Sequence, residues 1–235
     1  MSLIFYDDKV NRFLKDGYLQ TKKVFTDKEC NNLLASMIND WLINEHTEVR
    51  NPRCRVHCPM TLNTFTISIL RKIVSVYRDV LKEYLDKNSQ WLVEFSSLCP
   101  FPGAESQKVH PDVTINSGSD HTLISCDKKI VTIFVNLFNV NKKDGPLEVF
   151  PGSHTHPDIC NFKKGNKPRS RLMTGPAGSS VLMDGRIWHR GTGVAWDGNF
   201  RPVFYASFGS EDLWGPVYSI QSSYHKKYTL SDFGF

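Results

Sequence analysis

The stretch "IVTIFVNLFNV" at residues 130–140, running into "NKKDGPLEVF" at 141–150, decides the fold class. It is short, rich in β-branched and aromatic residues, and stopped by Asn, Lys, Asp and Gly, as a strand ending in a turn requires. Working outward, "WLVEFSSL" (91–98), "PLEVF" (146–150), "SSVLMD" (179–184) and "RPVFYASF" (201–208) have the same character. "NKKDGP" and "GPAGSS" are turn signals between them. No helical period separates these strands, so the chain is not a βαβ alternation. An antiparallel barrel or double-sheet jelly roll with helices packed outside is expected, mainly β with flanking helices in an α+β arrangement.

The N-terminal third reads as mostly helical. "TDKECNNLLASMINDWL" opens with Thr26 and Glu29 at capping-box spacing and carries Cys30, Leu33, Leu34, Met37 and Trp41 on one face. A second helix is expected across "ILRKIVSVYRDVLKEYLDK", with Ile69, Ile73, Val76, Tyr77, Val80, Leu81 and Leu85 as its stripe. "RNPRCRVHCPM" between them reads as a Pro-containing loop. There is no linker or long-period repeat, so one domain is expected over 1–235. It divides into a helical part to about residue 90, a barrel core over about 91–210 and a tail at 211–235.

Forty per cent hydrophobic and 23% charged residues are ordinary for a soluble globular chain. "MSLIFYDDKVNRF" lacks the basic and apolar regions of a secretory signal, and no apolar run approaches the ~20 residues that cross a bilayer. Cys30, Cys54, Cys58, Cys99, Cys126 and Cys160 are scattered and read as reduced thiols of an intracellular protein. The net charge of +5 has its clearest cluster in "NFKKGNKPRSR", at Lys163, Lys164, Lys167, Arg169 and Arg171. That loop is either a solvated surface or an anion-attracting rim.

The triplet His-Pro-Asp occurs twice, in "KVHPDVTI" (108–115) and "HTHPDICN" (154–161). On a strand, residues i and i+2 share a face, so His110 and Asp112 can address one ion. In the second copy His154, His156 and Asp158 alternate, but residues i and i+4 lie about 13 Å apart along a strand. They cannot all hold one ion, and a loop or cap role is expected. His189, in "VLMDGRIWHRGTG", is the best third ligand for the first copy. Two histidines and a carboxylate with open positions form the facial triad of non-haem Fe(II) oxygenases. Arg201 enters the next strand 12 residues later, and a buried guanidinium needs an anion. That anion is either an internal carboxylate or a dicarboxylate co-substrate gripped bidentately.

Together, "PGAESQKVHPD", "VTIFVNLFNVNKKDGPLEVFPGSH" and "GSSVLMDGRIWHRGTG…NFRPVFYASF" closely resemble the phytanoyl-CoA dioxygenase family of Fe(II)- and 2-oxoglutarate-dependent oxygenases. The likeness spans about residues 10–210, and "FLKDGYLQTKKVFTDKE" matches the family's opening. It implies a double-stranded β-helix. It also implies that His110, Asp112 and His189 bind Fe(II) and that Arg201 pairs with the distal carboxylate of 2-oxoglutarate. Gln107 and Phe134 fall at positions that touch or line the co-substrate pocket in the family. The chemistry implied is consumption of O2 and 2-oxoglutarate, release of succinate and CO2, and oxidation of a substrate C–H bond. Related halogenases replace the carboxylate with Gly or Ala, whereas Asp112 is present here, which favours hydroxylation. Leu147 departs from the Thr or Ser of many members, and the segment 114–129 is longer and more polar than the family pattern.

Cys54 and Cys58 flank His57 in "CRVHC", but no second cysteine pair accompanies them, and an ordinary loop is expected; the family resemblance implies a place over the active-site mouth, with a part in substrate selection. His121 is expected at the surface or mouth. Trp188, Trp196 and Trp214 are expected in core or rim packing rather than as a nucleic-acid platform. Three function classes follow: an oxygenase acting on a small-molecule or lipid-like substrate, an oxygenase acting on nucleic acid or protein, and a binding protein that keeps the fold without turnover. The intact His110, Asp112, His189 and Arg201 favour the first.

Overall fold

The computed structural model describes residues 8–50, 54–112, 129–155, 169–213 and 219–235. Helices α1 (Asp8–Asp16), α2 (Asp27–Ile43) and α3 (Thr64–Tyr84) alternate with strands β1 (Tyr18–Thr21), β2 (Glu48–Arg50) and β3 (Arg55–Pro59). Strands β4 (Trp91–Pro100), β5 (Ile130–Asn136), β6 (Leu147–Val149), β7 (Arg171–Leu172), β8 (Ser180–Asp184), β9 (His189–Gly191) and β10 (Val203–Gly209) follow. They form an antiparallel seven-stranded sheet in the order β1-β8-β5-β10-β4-β3-β2 and a three-stranded sheet in the order β7-β6-β9. This is the expected double-sheet jelly roll.

The capping box at α2 forms as its spacing requires: Thr26 Oγ1 accepts from Glu29 N–H at 3.2 Å and Glu29 Oε2 accepts from Thr26 N–H at 2.7 Å. α3 begins five residues before the apolar stripe, because Asn63 and Thr66 make a second reciprocal cap. Both helices bury Cys30, Leu33, Met37, Ile69, Ile73 and Tyr77 against one face of the large sheet, where Val131, Ile133, Phe204 and Phe208 meet them. The opposite face points Phe134, Val181 and Met183 at Leu147 and Val149 of the small sheet. Strands covered on both sides lose the apolar–polar alternation, which is why "IVTIFVN" is apolar at all but Thr132 and Asn136.

Two expectations need correction, and one strand was not foreseen. "RNPRCRVHCPM" is not simply a loop, because Arg55–Pro59 is a strand paired with β4 from Arg55↔Pro100 to Pro59↔Ser96. "GYLQT" supplies β1, an edge strand too short to signal itself. The segment after residue 211 is not a tail: Ile220, Leu230 and Phe233 join the main core. Its carbonyls at Ser219 and Tyr228 accept from Phe95 and Leu92 at 2.8 and 2.9 Å. The β1–α2 connection is fixed by Gly178, whose φ of +80° lets Phe25 O approach within 2.2 Å of where a Cβ would stand.

The described cysteines Cys30, Cys54, Cys58 and Cys99 are free thiols. Cys54 is exposed and Cys58 buried. Trp188 is in the core, whereas Trp196 is 85% exposed and lies against Gly103. Among the described residues no helix is long and apolar enough to cross a membrane. His121, His156, Asp158, Trp214, Lys163, Lys164 and Lys167 lie outside the described residues.

Candidate functional site

His110 and Asp112 reach the site without a regular strand. An isolated bridge joins His110 to His189, each backbone N–H donating to the other's carbonyl at 2.9 Å. Asp112 N–H donates to Gly185 O at 2.8 Å. Pro111 lies between these two donors, at the one position where a missing N–H breaks nothing. His189 opens β9, held by pairing with Val149 of β6.

The three side chains converge. Their candidate ligand atoms all lie within 4.8 Å of one another, and His189 Nε2 stands 3.3 Å from Asp112 Oδ1. Each imidazole is oriented through Nδ1: His110 Nδ1 donates to Lys108 O at 2.7 Å, and His189 Nδ1 to Ile187 O at 3.0 Å. A neutral imidazole that donates from Nδ1 presents a lone pair at Nε2, the tautomer a metal needs. Burial pushes the Asp112 carboxyl up, but the charge and hydrogen bond of His189, then His110, hold it below its usual value. Burial lowers His189, and Asp112 outweighs that and raises it. Two nitrogens and one carboxylate oxygen with room left over suit Fe(II).

The triad lines a cavity of about 300 Å³ that Gln107, Phe134, Leu147 and Arg201 also line. Arg201 is only 5% exposed, and its Nε lacks a hydrogen-bond partner. Among the described residues it makes no salt bridge, and buried Asp144 attracts it more weakly than burial and Arg55 oppose its charge. Burial, and then the Arg55 guanidinium, push it down to about 10. A buried, underserved guanidinium opening on a cavity fits a carboxylate ligand. Gln107 Oε1 accepts from Gly191 N–H at 2.7 Å and its own N–H donates to Gly191 O at 2.9 Å, tying the segment before His110 to β9. The Phe134 ring packs 5.7 Å from Tyr205.

The second triplet behaves differently where it is described. His154 Nε2 bonds Leu14 O at 3.0 Å, and the ring packs on Gly17. It staples the end of α1.

Sequence reasoning missed several lining residues. His57 lines the cavity from the unexpected strand β3, with Arg55 behind the lining on the same strand. The Arg55 Nη2 donates to Glu105 O at 2.6 Å, and His57 Nε2 meets Tyr205 Oη at 2.6 Å. Glu94, Tyr205 and Ser219 complete that wall. The signal for Glu94 was present: it is the single charge within "WLVEFSSL".

The sequence model for phytanoyl-CoA dioxygenase (PhyH) matches residues 13–195. Among solved structures, the non-haem α-ketoglutarate-dependent epimerase SnoN from nogalamycin biosynthesis superposes with a TM-score of 0.64 at 15% identity, covering 86% of this chain and 82% of its own. HygX from Streptomyces hygroscopicus, with nickel, 2-oxoglutarate and hygromycin B bound, gives 0.65 at 13% identity over 86% of each chain. AviO1 from Streptomyces viridochromogenes Tue57 gives 0.61 at 16% identity over 92% and 99%. These likenesses establish the shared fold. The family match extends over most of the sequence, and the chain belongs to the phytanoyl-CoA dioxygenase family of Fe(II)- and 2-oxoglutarate-dependent oxygenases.

Proposed function

We propose that this enzyme hydroxylates an unactivated C–H bond of a small-molecule or lipid-like substrate, consuming O2 and 2-oxoglutarate and releasing succinate and CO2. In this reading His110, Asp112 and His189 hold Fe(II) on one face, and Arg201 grips the distal carboxylate of 2-oxoglutarate. The observation that carries it is the buried Arg201 Nε without a partner, at the wall of the cavity that the triad lines.

Bound Fe(II) supplies the oxidising chemistry, and the chain supplies position and exclusion of water. Lys108 O and Ile187 O fix the two imidazole tautomers. Gln107 holds the His110 segment against β9, and Leu147 and Phe134 give the co-substrate end apolar walls. With Asp112 present, its carboxylate would serve as the third protein ligand of the iron, which favours hydroxylation over halogenation.

The test is anaerobic titration of Fe(II)-loaded protein with 2-oxoglutarate, followed by O2 and candidate substrates. A charge-transfer absorption on adding 2-oxoglutarate, and succinate release that rises with a substrate gaining one oxygen, are expected. No absorption change with iron bound would remove the assignment.

A further inference from the structure

Strand β10 carries the cavity's long axis. Arg201, Val203, Tyr205 and Ser207 alternate along one face of this segment, and all but Ser207 line the cavity. Val203 to Ser207 is four residues, about 13 Å of strand, and Arg201 lies two residues before Val203. Directly across from Ser207, on β4, stands Glu94, and on β5 stands Thr132. Both line the same cavity. A five-carbon diacid held by Arg201 is far too short to cover that distance.

Glu94 is held rather than loose. Ser207 Oγ donates to its Oε2 at 2.6 Å, and Thr132 Oγ1 meets Ser207 Oγ at 2.9 Å. Ser219 also bonds its carboxyl, and Tyr205 Oη donates to Ser219 Oγ at 3.3 Å, with His57 behind it. These neutral partners fix the carboxylate's direction without neutralising it. Among the described residues no lysine, arginine or histidine makes a salt bridge to Glu94. Burial, and then Asp112, push its carboxyl up to about 7. A carboxylate kept in a cavity without a countercharge is costly unless a ligand brings one. The Tyr205 ring, next along the same strand face, offers a second surface that favours a cation.

We infer that Glu94 is the specificity-determining residue of the substrate end of this cavity, and that the substrate carries a cationic nitrogen, an amine or guanidinium, bound by its carboxylate. This rests on the reading of the cavity as the oxygenase site and narrows it: a wholly apolar lipid tail would bring no countercharge to Glu94. Anion at Arg201 and cation at Glu94 also sort the two ligands to opposite ends, since 2-oxoglutarate is repelled from the substrate end.

The experiment uses full-length protein loaded with Ni(II), which does not turn over, and saturated with 2-oxoglutarate. Binding of n-alkylamines from butyl to octyl and of the matching n-alcohols is measured by ligand-observed NMR. Amines should bind the wild type at least about tenfold more tightly than alcohols, as loss of a charge-assisted pair implies. Glu94→Gln should erase that preference, and Glu94→Asp should restore part of it. 2-Oxoglutarate affinity should stay within about twofold in both variants, given the distance of Glu94 from Arg201, and each variant is compared at verified full Ni(II) loading. Amines binding no tighter than alcohols to the wild type, including no binding by either, would overturn the proposal without needing any variant. So would a preference unchanged in Glu94→Gln. Failure of the wild type to bind 2-oxoglutarate would instead count against the oxygenase reading, so the two failures are distinguishable.

Discussion

Replacing Arg201 with methionine should make the ligand-free protein more stable and at the same time blind to 2-oxoglutarate. The Arg201 guanidinium is 5% exposed and is pushed down from its ordinary value to about 10, first by burial and then by Arg55. At about 1.4 kcal/mol for each factor of ten in protonation, the folded apo protein carries about 3 kcal/mol of strain from this one cation. The sign follows from the direction of the shift. The folded pKa lies below the unfolded one, so the penalty is full at neutral pH and fades only as pH rises past about 10. Methionine matches much of the stem's volume and removes the charge, so ~3 kcal/mol is the upper bound of the gain. For a chain of this size that corresponds to at most roughly 6–12 °C in melting temperature. In the wild type, Mn(II) and 2-oxoglutarate at 100 times the dissociation constant should return about 2.7 kcal/mol by binding the folded state alone. The assay is therefore a pair of melting curves, with and without Mn(II) and 2-oxoglutarate. The variant should melt higher than wild type when apo, show no ligand-induced rise, and keep a constant gap between pH 6 and 9. A variant that 2-oxoglutarate stabilises as much as the wild type would refute the carboxylate role of Arg201. An apo variant melting several degrees below wild type would refute the buried-charge argument.

Asp112→Ala should abolish iron-dependent 2-oxoglutarate turnover, read as succinate, while leaving the far-ultraviolet circular dichroism unchanged; retained turnover would dismiss the triad. Arg201→Lys should keep turnover but raise the 2-oxoglutarate concentration it needs, because a point charge cannot reproduce the guanidinium fork. His154→Ala removes the bond to Leu14 O and should lower stability by about 1–3 kcal/mol in a urea titration, with Fe(II) affinity unchanged. Loss of iron from that variant would move the metal site to the second triplet.

The jelly roll was legible because its strands are short, β-rich and punctuated, and because no helical period intervenes. Capping chemistry located α2 for the same reason: Thr26 and Glu29 act on each other across three residues. What escaped was non-local. Strand β3 reads as a loop because Pro52, Cys54 and Pro59 crowd it, yet β4 supplies a complete ladder partner. The C-terminal segment lacks period, and its hold on the core comes from the β4 amides of Leu92 and Phe95 and the Gln90 carbonyl, far away in sequence.

The site was legible in the same uneven way, and the unevenness has a physical cause. Ligands that must meet at one ion obey a spacing rule, so His110 and Asp112 announce themselves, and a buried arginine demands an anion wherever it falls. A residue that recognises a substrate obeys no such rule. Glu94 lies on a strand buried on both faces, so alternation cannot say which side it takes. Only the pairing of β4 with β10, Glu94 opposite Ser207, turns it toward the cavity. The same register sets Leu98 opposite Val203, two positions from Arg201, so the apolar part of β4 falls at the co-substrate end and its one charge at the other. The charge asymmetry of the cavity is thus a property of strand register: slipping β4 by one residue would turn Glu94 into the helical core, where no compensating cation would be at hand.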